Sequence, residues 1–271
     1  LVGQGLDRAL TAVGRARIDA SGRDLLRQPV LDAKVDVDNA AVGGVDITRA
    51  TLTAKGSGTA NDIRIDGVAQ GADVTAAARV TLGDATSVVV NQARVSRGNQ
   101  RIEIQPNARV DISNGNVRVS DLELRSGSGR LRLAGEAGQR LDLNTTIQNF
   151  PLAIAELFVP GIGLAGTVSG EAAVSGAAAR PDGRYRLNAG GLTLPAMSNA
   201  GLRPLTVTAT GGLGQGRVTT DTTLRGQDNL TLRVQGSAPI GDGNLDLAVT
   251  GPIDLGIANA VLSASGQVLT G

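Results

Sequence analysis

The 271-residue sequence predicts an all-β chain, a long antiparallel up-and-down sheet accompanied by one or two short helices. Aliphatic and polar residues alternate with period two along most of the chain, which sends successive side chains to opposite faces of a strand. Turn formers interrupt the alternating runs every 8 to 12 residues or so, roughly the spacing of a meander. Helix-period patterning is rare, and Glu is scarce beside Asp, a bias that suits turns and strand ends.

In chain order the clearest strands are KVDVD at 34–38, DIRID at 62–66, RIEIQ at 101–105, RVDIS at 109–113, NVRVS at 116–120 and DLELR at 121–125. The later half adds RLRL at 130–133, RLDLN at 140–144, RYRLN at 184–188, NLTLRVQ at 229–235 and NLDLAVT at 244–250. Asn114-Gly115 and Asp242-Gly243 supply the pair of positive φ angles that a two-residue type I′ hairpin needs. Pro181-Asp182-Gly183 reads as a further turn, with Pro fixing one φ and Gly taking the left-handed position. Strands joined this tightly are antiparallel neighbours.

The best helix candidate lies near 151–158, with Asn149 as cap, Pro151 at the first helical position and Pro160-Gly161 as the stop. A second lies near 254–262, after Pro252. The two align: PLAIAE at 151–156 matches DLGIAN at 254–259 at an offset of 103 residues, and RLDL and NLDL precede them at nearly the same offset. This is an internal repeat within one continuous β segment over 1–271. The window 150–166 is the most hydrophobic, but it contains Glu156, prolines and glycines and is too short to span a bilayer. It reads as a buried or groove-capping helix.

Composition narrows the function. Gly numbers 38, while Phe150, Phe158 and Tyr185 are the only aromatics. Aromatics ordinarily supply much of a core, so burial here must be aliphatic and thinly spread. With 41% hydrophobic residues in ordered alternation, the chain is a folding sequence despite its glycine. The absence of His and Cys removes Ser/His and Cys/His nucleophiles, imidazole acid–base chemistry and Cys/His zinc sites, so an enzyme, a cofactor or a metal site is not expected. Net charge is +1, with Arg making up all but two of the basic residues. Without a basic surplus or aromatic stacking platforms, no nucleic-acid partner is expected. The chain starts at Leu1 with no signal-like segment and contains no long uncharged apolar run. It reads as an internal piece of a longer protein, its end strands continuing into neighbouring segments of the same chain.

An antiparallel sheet with one apolar face must cover that face. A membrane barrel would carry Trp and Tyr girdles, and this chain has no Trp and one Tyr. A soluble solenoid, or a sheet folded lengthwise into an open apolar groove, remains. The inward positions are Val35, Val37, Ile63, Ile65, Ile102, Ile104, Val110, Ile112, Val117, Val119, Leu131, Leu133, Leu141, Leu143, Leu230, Leu232, Leu245 and Leu247. Nearly all are branched aliphatics, an apolar lining without directed hydrogen bonds that suits a hydrocarbon chain. The same periodicity fits a closed dry core, which would point to a structural or adhesive β-solenoid of the autotransporter-passenger kind. Other motifs are weaker. The glycine run 211–216 lacks the Lys-Ser/Thr of a phosphate loop and reads as an inter-strand turn. Asp36 to Asn39 lacks the Gly and Glu of a calcium loop. Arg140 and Asp142 read as part of a solvated face.

The run LELRSGSGRLRLAG at 122–135, followed by FPLAIAELF at 150–158, LAGTVSGEAAVSG at 164–176 and RPDG at 180–183, resembles the TamB family. This is the translocation and assembly module subunit of Gram-negative bacteria, within the wider AsmA-like, bridge-like lipid transfer group. GPIDLGIAN at 251–259 is similar to that family's helix entry, and the resemblance is clearest from Leu122 onward. It implies a β-taco groove in the periplasm, anchored to the inner membrane through a part of the protein not present here. It also implies phospholipid transport to the outer membrane, support of outer-membrane β-barrel assembly, and a TamA-type barrel as partner. The expected cargo is a phospholipid acyl chain or a hydrophobic β-strand client.

Overall fold

The computed structural model describes residues 10–23, 30–42, 45–199, 203–227, 230–241 and 243–252. The protein is all-β, and its chain divides into two compact units, Leu1–Ser126 and Gly127–Gly271.

The first unit is an antiparallel meander of β1 (Leu10–Arg23), β2 (Val30–Val42), β3 (Val45–Ser57), β4 (Ala60–Ala69), β5 (Ala72–Thr81), β6 (Thr86–Arg97), β7 (Gln100–Ile104), β8 (Ala108–Ser113) and β9 (Asn116–Ser126). From β1 to β6, each strand pairs with the next. β7 and β8 follow one another along β6 and pair with β9 on their other side. The interruption at 105–107 falls beside an extra residue, Asn91, in β6 and a positive φ at Asp121 in β9. Such irregularities on adjacent strands bend them together and raise their twist. The Asn114-Gly115 hairpin has the expected pair of positive φ angles, 48° and 75°. Gln70-Gly71 repeats the device with 49° and 75°.

The second unit holds β10 (Gly129–Ala137), β11 (Arg140–Pro151), a 3-10 helix (Leu152–Leu157), β12 (Ala165–Ala177), β13 (Arg180–Thr193), α1 (Pro195–Asn199), β14 (Leu205–Gly214), β15 (Arg217–Arg225), β16 (Thr231–Pro239) and β17 (Asp246–Thr250). Its strands also pair antiparallel in chain order. Tight turns join the strands at one rim, at 138–139, 178–179 and 215–216, while the opposite rim carries the longer connections with the 3-10 helix and α1.

Three details differ from the sequence expectations. The helix near 151–158 is a single 3-10 stretch whose cap position is Pro151, with no side-chain cap. Asn149 instead sits in a bulge at φ 45°, its N–H donating to Ser169 Oγ at 2.8 Å. Pro181-Asp182-Gly183 is no turn but part of β13, facing Gly176, Ser175 and Val174, and the chain reverses two residues earlier. A proline is tolerated that close to a strand's start. The five-residue α1 has no periodicity to betray it. Asp242 of the second predicted hairpin and the helix candidate at 254–262 lie outside the described residues.

The second unit uses one local arrangement twice. Leu131-Arg-Leu-Ala-Gly135 and Leu232-Arg-Val-Gln-Gly236 each end at a glycine paired with the second leucine of an L-D-L strand, Leu143 and Leu247. Gly135 has φ 133° and Gly236 φ 145°, and a Cβ on either would lie within 2 Å of the carbonyl oxygen of Asp142 or Asp246. Only glycine permits both that φ and that approach.

Burial is thin. Among the described residues the buried hydrophobics of the first unit are Ala40, Ala72 and Ala108, and those of the second are Phe150, Ile154 and Leu157, gathered at the 3-10 helix. Among the described residues no large side chain is fully buried. Stability therefore rests on the backbone ladder and on many half-covered side chains.

Candidate functional site

Directly paired residues of antiparallel strands share a face, so register converts the alternating sequence into rows that cross the sheet. In the first unit one row runs Ile18, Val35, Leu52, Ile65, Ala76, Ala93, Ile104, Leu124. Beside it run Ala16, Val37, Ala50, Gly67, Val74, Val95, Ile102 and, on the other flank, Ala20, Ala33, Ala54, Ile63, Ala78, Val90, Ala108. Val80, Val88, Val110 and Val119 form a fourth, and Ile112 faces Val117. These rows hold no charged side chain. The predicted positions of this unit, Val35 through Val119, are thus brought onto one face. All are half-buried except Ile112, which is 43% exposed.

In the second unit Leu143, Val174, Gly183, Leu213, Val218 and Ala238 form one row. Leu131, Ile147, Gly170, Leu187, Ala209, Thr222, Val234 and Val249 form another. Leu141 faces Gly176, and Leu232 faces Leu224. Leu230 precedes β16 and packs with Leu205 around Gly226. Leu245 departs from the expected lining: it lies ahead of β17 and is 69% exposed. Between the aliphatic rows runs Leu133, Thr145, Ala172, Tyr185, Gly211, Thr220, Gly236, Leu247, of which the periodicity singled out only the two end members, Leu133 and Leu247. The signals in the sequence for its middle are a lone tyrosine and the four threonines that flank Asp221 at 219–223.

The opposite face is charged, and its charges hold the register. Arg79 of β5 faces Asp62 of β4 and binds it through two bonds of 2.8 and 2.9 Å. Arg233 grips Asp221 the same way, at 2.9 and 2.6 Å. Arg94 faces Glu103 across β6 and β7 at 2.8 Å. Hydrogen bonds from Arg79 and Arg233 hold Asp62 and Asp221 below the ordinary carboxylate range, and Arg109 followed by Ser87 does the same for Asp111. Sliding any strand by one residue would move these charges onto the aliphatic face. Asp36, once part of an apparent calcium-like motif, belongs to this charged face, bound by Lys34 and by the Thr51 hydroxyl at 2.6 Å. Among the described residues no three acidic side chains gather as a metal site would require.

At the rim with the long connections, the Glu156 carboxylate accepts hydrogen bonds from the backbone N–H groups of Gly161 and Gly163 at 2.8 and 2.6 Å. This ties down the loop that presents exposed Phe158 and Val159. Beneath it Phe150, Ile154 and Leu157 are packed, so the hydrophobic window 150–166 is partly a cap and partly an exposed tip. No described helix is long and apolar enough to cross a membrane. The glycine run 211–216 divides between β14 and a hairpin at Gln215-Gly216, with φ 52° and 73°. No family model, curated protein or solved structure matches the chain.

Proposed function

We propose that this protein is a segment of a conduit for amphiphiles, with phospholipid acyl chains laid against the aliphatic sheet face. The observation that carries this reading is the set of uncharged aliphatic rows crossing the first unit without any large fully buried side chain. Side chains meeting one another in a dry core would be almost fully covered; these are half-covered. Each methylene withdrawn from water contributes ~0.8 kcal/mol, so even partial cover of one acyl chain is favourable. An undirected aliphatic surface holds such a chain without fixing its position, which is what passage along the face requires. The TamB-like order of motifs supports the same reading. Its periplasmic setting, its TamA-type partner and its role in outer-membrane protein assembly belong to the proposal.

The test is site-specific photo-crosslinking. A photoreactive residue at Leu131 or Leu141 is expected to yield phospholipid adducts by mass spectrometry, while one at Arg132 or Asp142, on the opposite face, is not. Equal labelling from both faces, or no lipid adduct from Leu131 and Leu141, would overturn the reading.

A further inference from the structure

Within the second unit's aliphatic face lies a hydrogen-bonded group of hydroxyls. Tyr185 Oη donates to Thr220 Oγ1 at 2.9 Å, with the Thr219 carbonyl at 3.3 Å, and Thr220 Oγ1 lies 2.8 Å from Thr222 Oγ1. Tyr185 belongs to β13 and both threonines to β15, so the phenol must cross β14 to reach them. It does so at Gly211, where an added Cβ would meet the ring at 2.6 and 2.7 Å. Glycine is required there because the Thr219 carbonyl oxygen, 2.0 Å from such a Cβ, and the ring together occupy the space a side chain would fill.

Hydrogen-bond counting shows what the group offers. Three hydroxyls bring three protons; with the phenol on Thr220, the nearer of its two acceptors, the Thr220–Thr222 contact is the one left to take the other two. If Thr220 donates to Thr222, the proton of Thr222 has no acceptor within the group; if Thr222 donates to Thr220, that of Thr220 has none. The tyrosine oxygen also keeps its lone pairs. All three residues are half-buried, on rows whose other members are aliphatic, glycine or threonine. The site therefore presents a neutral donor, with no cation for a phosphate.

We infer that Tyr185, Thr220 and Thr222 form a recognition site for the ester carbonyl of a glycerolipid, pausing the polar end of the molecule while its chains lie on the neighbouring rows. The inference rests on the lipid reading above and adds to it a fixed point. An ester carbonyl is an acceptor without a proton, attached directly to hydrocarbon, and so matches a donor set among aliphatics. A peptide strand brings an N–H for every carbonyl and is better served by the unpaired ladder of a sheet edge.

Tyr185 is the only tyrosine, and the chain has no tryptophan, so its fluorescence reports this site alone. The full chain is loaded with phosphatidylcholine carrying a nitroxide quencher either near the ester or at the tail end, and free vesicles are removed. One net hydrogen bond favours the ester end by about fivefold, so the near-ester label is expected to quench more than the tail label by about that factor. Thr222→Val combined with Thr220→Val keeps the shape and the fluorophore, and is expected to bring the two labels level while lipid is still retained on the aliphatic rows. Unfolding midpoints of the variant establish that it is folded. Equal quenching in the unaltered protein, or a preference that survives in the variant, overturns the recognition site and leaves the lipid reading standing. No quenching by either label, with no lipid retained, overturns both. Displacement of labelled lipid by a hydrophobic β-strand peptide, but not by unlabelled phosphatidylcholine, assigns the site to a peptide and overturns the inference.

Discussion

Val218→Asp separates an accessible apolar face from a dry core. Val218 is the second residue of β15, beside the 215–216 turn, paired with Leu213 and Ala238, and is 36% exposed. Full burial of an aliphatic side chain contributes about 1.5–3 kcal/mol. Val218 has roughly two thirds of that cover, so replacement forfeits about 1 to 2 kcal/mol of burial, and the lower strand preference of Asp adds up to about 1. The carboxylate keeps contact with water and avoids the penalty of a buried charge. The expected cost is about 2 kcal/mol, or about 4–8 °C in the midpoint of a unit this size. Leu157→Asp is the internal comparison. Leu157, the last residue of the 3-10 helix, is 3% exposed, and a charge there loses about 3 kcal/mol of burial together with several more for an unpaired buried ion. That total rivals the entire stability of an ordinary domain, about 5–15 kcal/mol. Thermal and urea unfolding followed by far-UV circular dichroism should find Val218→Asp folded and Leu157→Asp largely unfolded, with lipid adducts reduced in the folded variant. If Val218→Asp unfolds the unit as severely as Leu157→Asp, the face is a closed core and the reasoning from half-burial is wrong.

Gly135→Ala places a Cβ against the Asp142 carbonyl at φ 133°, so the β10–β11 ladder must open; the expected loss is about 3 kcal/mol from backbone strain and broken bonds. Gly161→Ala, at φ 81° with open space around it, should cost only about 1 kcal/mol, and equal urea midpoints for the two would refute the role given to the carbonyl contact. The carboxylates of Asp62, Asp111 and Asp221 are held below their ordinary pKa by arginine. Their stabilisation is therefore complete above the unfolded value of ~4 and is lost as pH falls through the lower folded values. The urea midpoint should be level near neutrality and fall in acid, less steeply in Asp221→Asn, and a midpoint that rises on acidification would contradict this sign.

Legibility followed side-chain size. Strands whose apolar positions carry Val, Ile or Leu, such as β4, β8 and β11, are visible as alternation in the sequence. β5 reads ADVTAAARVT and β14 reads LTVTATGGLG; both are central strands of their units but do not stand out. The middle of their apolar face is filled by Ala76, Ala78, Ala209 and Gly211, residues too small to mark a period and too common elsewhere to mark a strand. At Gly211 the Thr219 carbonyl and the Tyr185 ring leave no room for a side chain. The prediction of a turn at Pro181 failed for a related reason: local turn chemistry was outweighed by the pairing of β13 with β12.

What the sequence determined by itself is the division of each strand into an aliphatic and a charged face, because covalent geometry fixes the alternation of side chains at two residues. Tertiary structure alone decided which aliphatic stands beside which, how completely each is covered, and where the exceptions meet. Those depend on register, and register is a contest between strands rather than a property of one. Tyr185 and Thr220 are 35 residues apart in the chain and come within hydrogen-bonding distance only because three strands align and the middle one has a glycine where the ring must pass.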